Sequence, residues 1–63
     1  MNRQEFMDYI VENYDISGDA FRLIANILCY AERFEGDEQY RFLCEMLGGT
    51  IGLSDMEIKK VSL

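Results

Sequence analysis

Gly18-Asp19-Ala20-Phe21-Arg22-Leu23-Ile24-Ala25-Asn26-Ile27-Leu28-Cys29-Tyr30-Ala31-Glu32-Arg33-Phe34 is the stretch that decides the fold. Ala20, Phe21, Leu23, Ile24, Ile27, Leu28, Ala31 and Phe34 recur at helical spacing and leave only a narrow polar strip through Arg22, Asn26 and Arg33. A helix that is apolar over most of its circumference belongs at the centre of its fold, with other elements packed around it. The chain contains no proline, and its glycines fall at Gly18, Gly36, Gly48, Gly49 and Gly52, so unbroken helices fit between them.

On the N-terminal side, about Arg3 to Tyr14, Phe6, Ile10 and Tyr14 follow one another at intervals of four, with Met7 and Val11 one position around the same side. This spacing predicts an amphipathic helix. On the C-terminal side, about Asp37 to Leu47 places Tyr40, Leu43, Cys44 and Leu47 on one face and Phe42 and Met46 on a second. Beyond a predicted loop Gly48-Gly49-Thr50-Ile51-Gly52, a short helix runs from Ser54 to about Val61. Ser54 and Glu57 have the spacing of a capping box, in which the serine oxygen accepts from the amide three residues on and the glutamate reaches back. Leu53 and Ile58 stand at the positions of a hydrophobic staple, and the same interval recurs as Ile16 with Phe21 around Ser17 and as Met1 with Phe6 around Asn2.

The expectation is an all-α fold: a small bundle of three main helices plus a short C-terminal fourth helix, forming one acidic domain over residues 1–63. Gly36 and Gly48 are expected in the left-handed conformation that ends helices, and the tight turn at Glu35-Gly36-Asp37 makes the second and third helices an antiparallel hairpin. A length of 63 residues leaves no room for a second domain, and a core of this size leaves little for a deep pocket.

Composition narrows function. Hydrophobic residues make up 49% and charged residues 29%, the proportions of a folding globular domain. Twelve acidic residues oppose six basic ones, a formal charge of −6, which disfavours direct binding to nucleic acid or to an anionic membrane. There is no histidine, the commonest general base near neutral pH, which weighs strongly against an ordinary hydrolase triad, and no enzyme is expected. Neither a signal-peptide start nor an apolar run of the ~18 residues a membrane span needs is visible, which points to the cytoplasm. Cys29 and Cys44 are expected to be buried small hydrophobes in a reducing compartment, with a single disulfide between them as the alternative that spacing leaves open. A redox or metal role for this pair would be the reading from a third class.

Three groups of residues are candidates for function. Phe42 and Met46 form a ridge at i and i+4 on the third helix, with Gln39 beside them. If the first or fourth helix does not cover this ridge, it is a contact surface for another protein or, across a two-fold axis, for a second copy. Tyr9, Tyr14, Tyr30 and Tyr40 add side chains suited to interfaces. Glu5, Asp8, Glu12 and Asp15 form a stripe along the first helix, with carboxylates about 4.5 to 6 Å apart along the axis, a charge spacing comparable to that of a duplex. Glu35, Asp37 and Glu38, with Glu32, surround the helical hairpin turn. They lack the alternating ligands and length of a calcium loop, and no metal or cofactor is expected. The segment Gly52-Leu53-Ser54-Asp55-Met56-Glu57-Ile58, after Arg41 to Leu47, resembles the first helix pair of LuxR-type helix-turn-helix domains. The resemblance implies a helix start at Ser54; the basic recognition helix that follows in that family has no counterpart before Leu63.

The function expected from these features is a non-enzymatic protein–protein interaction module, a small regulatory, accessory or inhibitor protein. It would bind another protein, one with a basic surface fitting its charge, through the Phe42 and Met46 face. The alternative is an acidic nucleic-acid mimic, of the kind phages and mobile elements encode, that blocks a DNA- or RNA-handling protein with its carboxylate stripes.

Overall fold

The computed structural model describes all residues from Met1 to Leu63, and its regular structure is entirely helical, without strands. Helix α1 spans Arg3–Asn13, α2 Gly18–Ala31, α3 Gly36–Leu43 and α4 Asp55–Ile58. Between α3 and α4 the chain stays helical over Cys44–Ile51, wound as a π-helix, so that α3 and the π segment make one column. The small all-α bundle expected from the spacing is therefore present, with three substantial helical units and a short fourth helix.

Helix α2 packs against α1 on one side and against the α3–π column on another, while α4 lies against the π segment. The core consists of Phe6, Met7, Ile10, Ile24, Ile27, Leu28, Ala31, Leu43, Leu47 and Ile58, with no polar residue among them. Phe6, Ile10, Ile24, Leu28, Leu47 and Ile58 are fully enclosed. Each such side chain contributes roughly 1.5 to 3 kcal/mol by leaving water, and each is a sizeable fraction of the ~5 to 15 kcal/mol by which domains are stable. Val11, Tyr14 and Phe21, read as inward-facing, are exposed, because α1 and α2 meet along a narrower strip than their apolar content allows.

Local chemistry sets the boundaries. Asn2 Oδ1 accepts from the Glu5 amide at 2.8 Å and Glu5 Oε1 accepts from the Asn2 amide at 2.9 Å, a complete capping box that starts α1. Ser17 Oγ accepts from the Ala20 amide at 3.1 Å to start α2. At α4, Ser54 Oγ accepts from the Glu57 amide at 3.4 Å, but the Glu57 side chain does not return to the cap, so the box expected there is only half formed. Helix α4 is also shorter than expected, ending at Ile58.

The largest difference from expectation is at Gly48 and Gly49, placed in a loop by their low helix propensity. They lie inside the π segment, and the left-handed glycines are Gly36, at φ +59°, and Gly52, at φ +88°, not Gly48. The Leu47 carbonyl accepts from the amides of both Gly52, at 2.9 Å, and Leu53, at 3.0 Å, which stops the column and turns the chain toward α4. A Cβ on Gly48 would stand 3.6 Å from the Leu53 carbonyl oxygen and 3.8 Å from Ile58 Cδ1. The returning chain thus packs on the glycine side of the column, and that packing compensates for the weak intrinsic helicity.

Candidate interaction surface

At about 100° per residue, Leu23, Ile27 and Tyr30, continued by Phe34 just past the helix end, fall within one narrow arc beside that of Ile24, Leu28 and Ala31; Ile27 still reaches the core from it, whereas Leu23 and Tyr30 do not. Opposite this arc stand Phe42 and Met46. The two ridges bound an open groove of about 290 Å³, lined by Leu23, Asn26, Ile27, Tyr30, Phe42 and Met46. Phe42 and Met46 are half-buried, and the helix that shares this groove with them is α2, not α1 or α4. Tyr30 remains 51% exposed and Leu23 38%.

Three aromatic rings close one end of the groove. Phe42 stacks on Phe34 at a centroid distance of 5.0 Å and on Tyr30 at 5.7 Å, while Tyr30 and Phe34 are 6.2 Å apart. The Arg33 guanidinium lies over the Tyr30 ring, 4.9 Å from its centroid, in cation–π geometry. Phe42 is also a wall of a second hollow, of about 310 Å³, which it shares with Phe34, Glu38, Arg41 and Glu45.

Gln39 does not present its amide to this groove. Its Nε2 donates to the Ala31 and Phe34 carbonyls, both at 3.0 Å, tying α3 to the end of α2 across the turn. The last turn of α2 tightens into i→i+3 bonds from Glu32, Arg33 and Phe34; Gln39 adds a second donor to the Ala31 carbonyl and covers the Phe34 carbonyl.

The carboxylates lie elsewhere on the surface. Glu5, Asp8, Glu12 and Asp15 are all exposed; Glu5 is engaged in the α1 cap, Asp8 accepts from Gln4 Nε2 at 3.1 Å, and Asp15 lies beyond the end of α1. Glu35, Asp37 and Glu38 are exposed around the hairpin turn. No three cysteine or carboxylate side chains come together as metal ligands. The one ion pair within 4.0 Å joins Arg3 Nη1 to Glu32 Oε1, at 3.4 Å.

Both thiols are free, and neither is fully buried as expected: Cys29 is exposed, where it accepts from Arg3 Nη1 at 2.8 Å, and Cys44 is half-buried beside Asp55. The apolar content of α2 suggested burial, but Cys29 falls on the polar arc with Arg22, Asn26 and Arg33.

Two tyrosines have hydroxyls held firmly protonated. Tyr9 is pushed up to about 12, first by its hydrogen bond to Glu57, then by burial and the Glu57 charge. Tyr40 is pushed up to about 12 by its hydrogen bond to Cys44, then by burial and by the charge of Asp55. Tyr14 is raised as well, by burial first and then by Glu57. Glu57 Oε2 is itself buried without a partner, and its charge favours neutral phenols beside it.

The Leu23, Tyr30 and Phe34 ridge was hidden in the sequence by the abundance of apolar residues around α2. The available signal was arithmetic: a helix with only two main neighbours leaves one arc uncovered, and the arc of Leu23 and Tyr30 is apolar. No protein family matches the sequence, and no curated protein or solved structure matches the chain. No helix is long and apolar enough to cross a membrane.

Proposed function

We propose that this chain is a non-enzymatic interaction module of the cytoplasm, an accessory or inhibitor protein that works through contact of the α2 and α3–π face with a protein. The observation that carries this reading is the groove itself: five of its six lining residues are apolar, and Tyr30 and Leu23 stand exposed at its mouth. Aromatic residues and methionine on an open apolar surface are the composition of interface centres. The two free thiols suit a reducing compartment.

Affinity capture from the source organism's lysate, at low and high salt, tests the reading. Wild-type protein should retain a protein that Leu23→Ser and Tyr30→Ser variants lose at both salt concentrations. Equal capture by wild type and variants would move the function away from the groove.

A second reading is a nucleic-acid mimic, favoured by the exposure of Glu5, Asp8 and Glu12 along α1 and of Asp15 just beyond it. Amides at these four positions would then abolish capture and flatten its salt dependence. Unchanged binding by the amide variant would leave the stripe as a solvated helix face.

A further inference from the structure

The groove has two rims of opposite charge. Beyond Leu23 and Tyr30, the polar strip of α2 carries Arg22 and Arg33; beyond Phe42, the next side chains around the α3–π column are Glu38 and Glu45, with Arg41 behind them, so that this rim is acidic on balance. Arg22, Arg33, Glu38 and Glu45 make no ion pair within the chain, and all four are exposed. Because α2 and α3 are antiparallel, Arg33 and Glu38 lie at the hairpin end, lining one hollow together, whereas Arg22 and Glu45 each immediately precede a groove residue, Leu23 and Met46, at the other end.

From this arrangement we infer that the occupant of the groove is a second copy of this chain, related by a two-fold axis running along the groove. The inference rests on the reading of this face as a contact surface and names its partner. The axis follows from symmetry. A two-fold axis of a face-to-face dimer lies in the interface plane. Placed along the groove, it keeps each residue's position along the groove and exchanges the rims, so Arg33 of one copy meets Glu38 of the other and Arg22 meets Glu45. Placed across the groove, it sets arginine rim against arginine rim and carboxylate rim against carboxylate rim. Only the first orientation forms four intermolecular pairs around a shared apolar seam of Leu23, Tyr30, Phe42 and Met46.

The rest of the surface suits this partner less well for any other approach, since a net charge of −6 makes two copies repel wherever the rims are not in register. The seam is small beside the roughly 800 Å² per partner of a standard interface. The dimer is accordingly weak, in the micromolar range.

Sedimentation equilibrium over a concentration series, with circular dichroism to verify folding, tests the arrangement. Wild type should fit a monomer–dimer equilibrium. An R22E/R33E variant, with two acidic rims, and an E38R/E45R variant, with two basic rims, should each dimerise about ten- to hundredfold more weakly, as expected for reversing exposed pairs. Mixing the two should restore association as a heterodimer, and the chain carrying all four changes should dimerise like wild type. A wild type that stays monomeric at high concentration, or single-rim variants that dimerise unchanged, would overturn the proposal. If wild type is monomeric yet captures a lysate protein that Tyr30→Ser loses, the second copy is refuted while the contact reading stands. If neither occurs, both fall.

Discussion

Replacing Gln39 with alanine separates two roles that the sequence left superimposed. In the folded chain the Gln39 amide holds two carbonyls at the α2–α3 turn, both at 3.0 Å. The Ala31 carbonyl keeps another partner, the Phe34 amide at 3.0 Å, whereas Phe34 loses the side-chain donor that covers its own carbonyl. Two side-chain bonds at about 0.5 to 1.5 kcal/mol each contribute about 1 to 3 kcal/mol. The better helix propensity of alanine returns a few tenths of that. A net loss of about 1 to 2.5 kcal/mol lowers the melting temperature of a domain this size by roughly 4 to 20 °C. Thermal unfolding followed by far-ultraviolet circular dichroism measures it. Gln39→Glu sharpens the test, since it keeps the length of the side chain but can only accept, and it should melt no higher than the alanine variant at neutral pH. An unchanged melting curve for Gln39→Ala, accompanied by weaker self-association, would refute the turn assignment and return the residue to the contact face.

Gly48→Ala should stabilise the protein by about 0.4 to 1 kcal/mol, because its Cβ meets only ordinary contacts and the unfolded chain loses freedom, whereas Gly52→Ala at φ +88° should destabilise it by about 1 to 2 kcal/mol; denaturant melts of the pair should move in opposite directions. Stability should be at its full value below about pH 10 and fall as the pH rises toward 12, since Tyr9 and Tyr40 keep in the fold the protons that the unfolded chain releases at its ordinary value of 10.0. Tyr9→Phe should remove part of that slope, read from denaturant melts across the same range. Cys29 should react with a small thiol reagent in the native protein and Cys44 more slowly, the difference disappearing in denaturant; equal native rates would contradict the exposures found for them.

Periodicity located the interior well where one helix face meets one neighbour. Phe6 and Ile10, Leu43 and Leu47, and the staple residue Ile58 were readable because a spacing of three or four residues and a cap are local properties. Gly48 and Gly49 were misread because propensity is local, while the decision to stay helical is made by Leu53 and Ile58 packing from later in the chain. Phe42 and Met46 were identified as surplus apolar surface, but the other wall of their groove was not, since apolar spacing cannot say which arc of α2 its neighbours leave uncovered. Gln39 was grouped with them by adjacency on the helix, and its bonds across the turn have no sequence signature. The hydrophobicity of its segment suggests burial for Cys29, whereas its own angular position places it with the arginines.

The winding of Cys44–Ile51 has a consequence for changes in chain length. A bond from i to i+5 encloses one residue more than the α-helical bond, so this segment carries slack that an α-helix would not hold. Deleting Gly49 would let the column close to ordinary α-helical bonding, and because one residue fewer at about 100° each turns the chain through nearly the same total angle, everything after it would keep its direction. Ile58 would still reach the core beside Leu47, and Glu57 would stay near Tyr9. Single-residue deletions in a mutational library should therefore be tolerated between residues 44 and 51, as in the turns at residues 14–17 and 32–35, and be depleted within α1 and α2, where each would rotate the core face by about 100°.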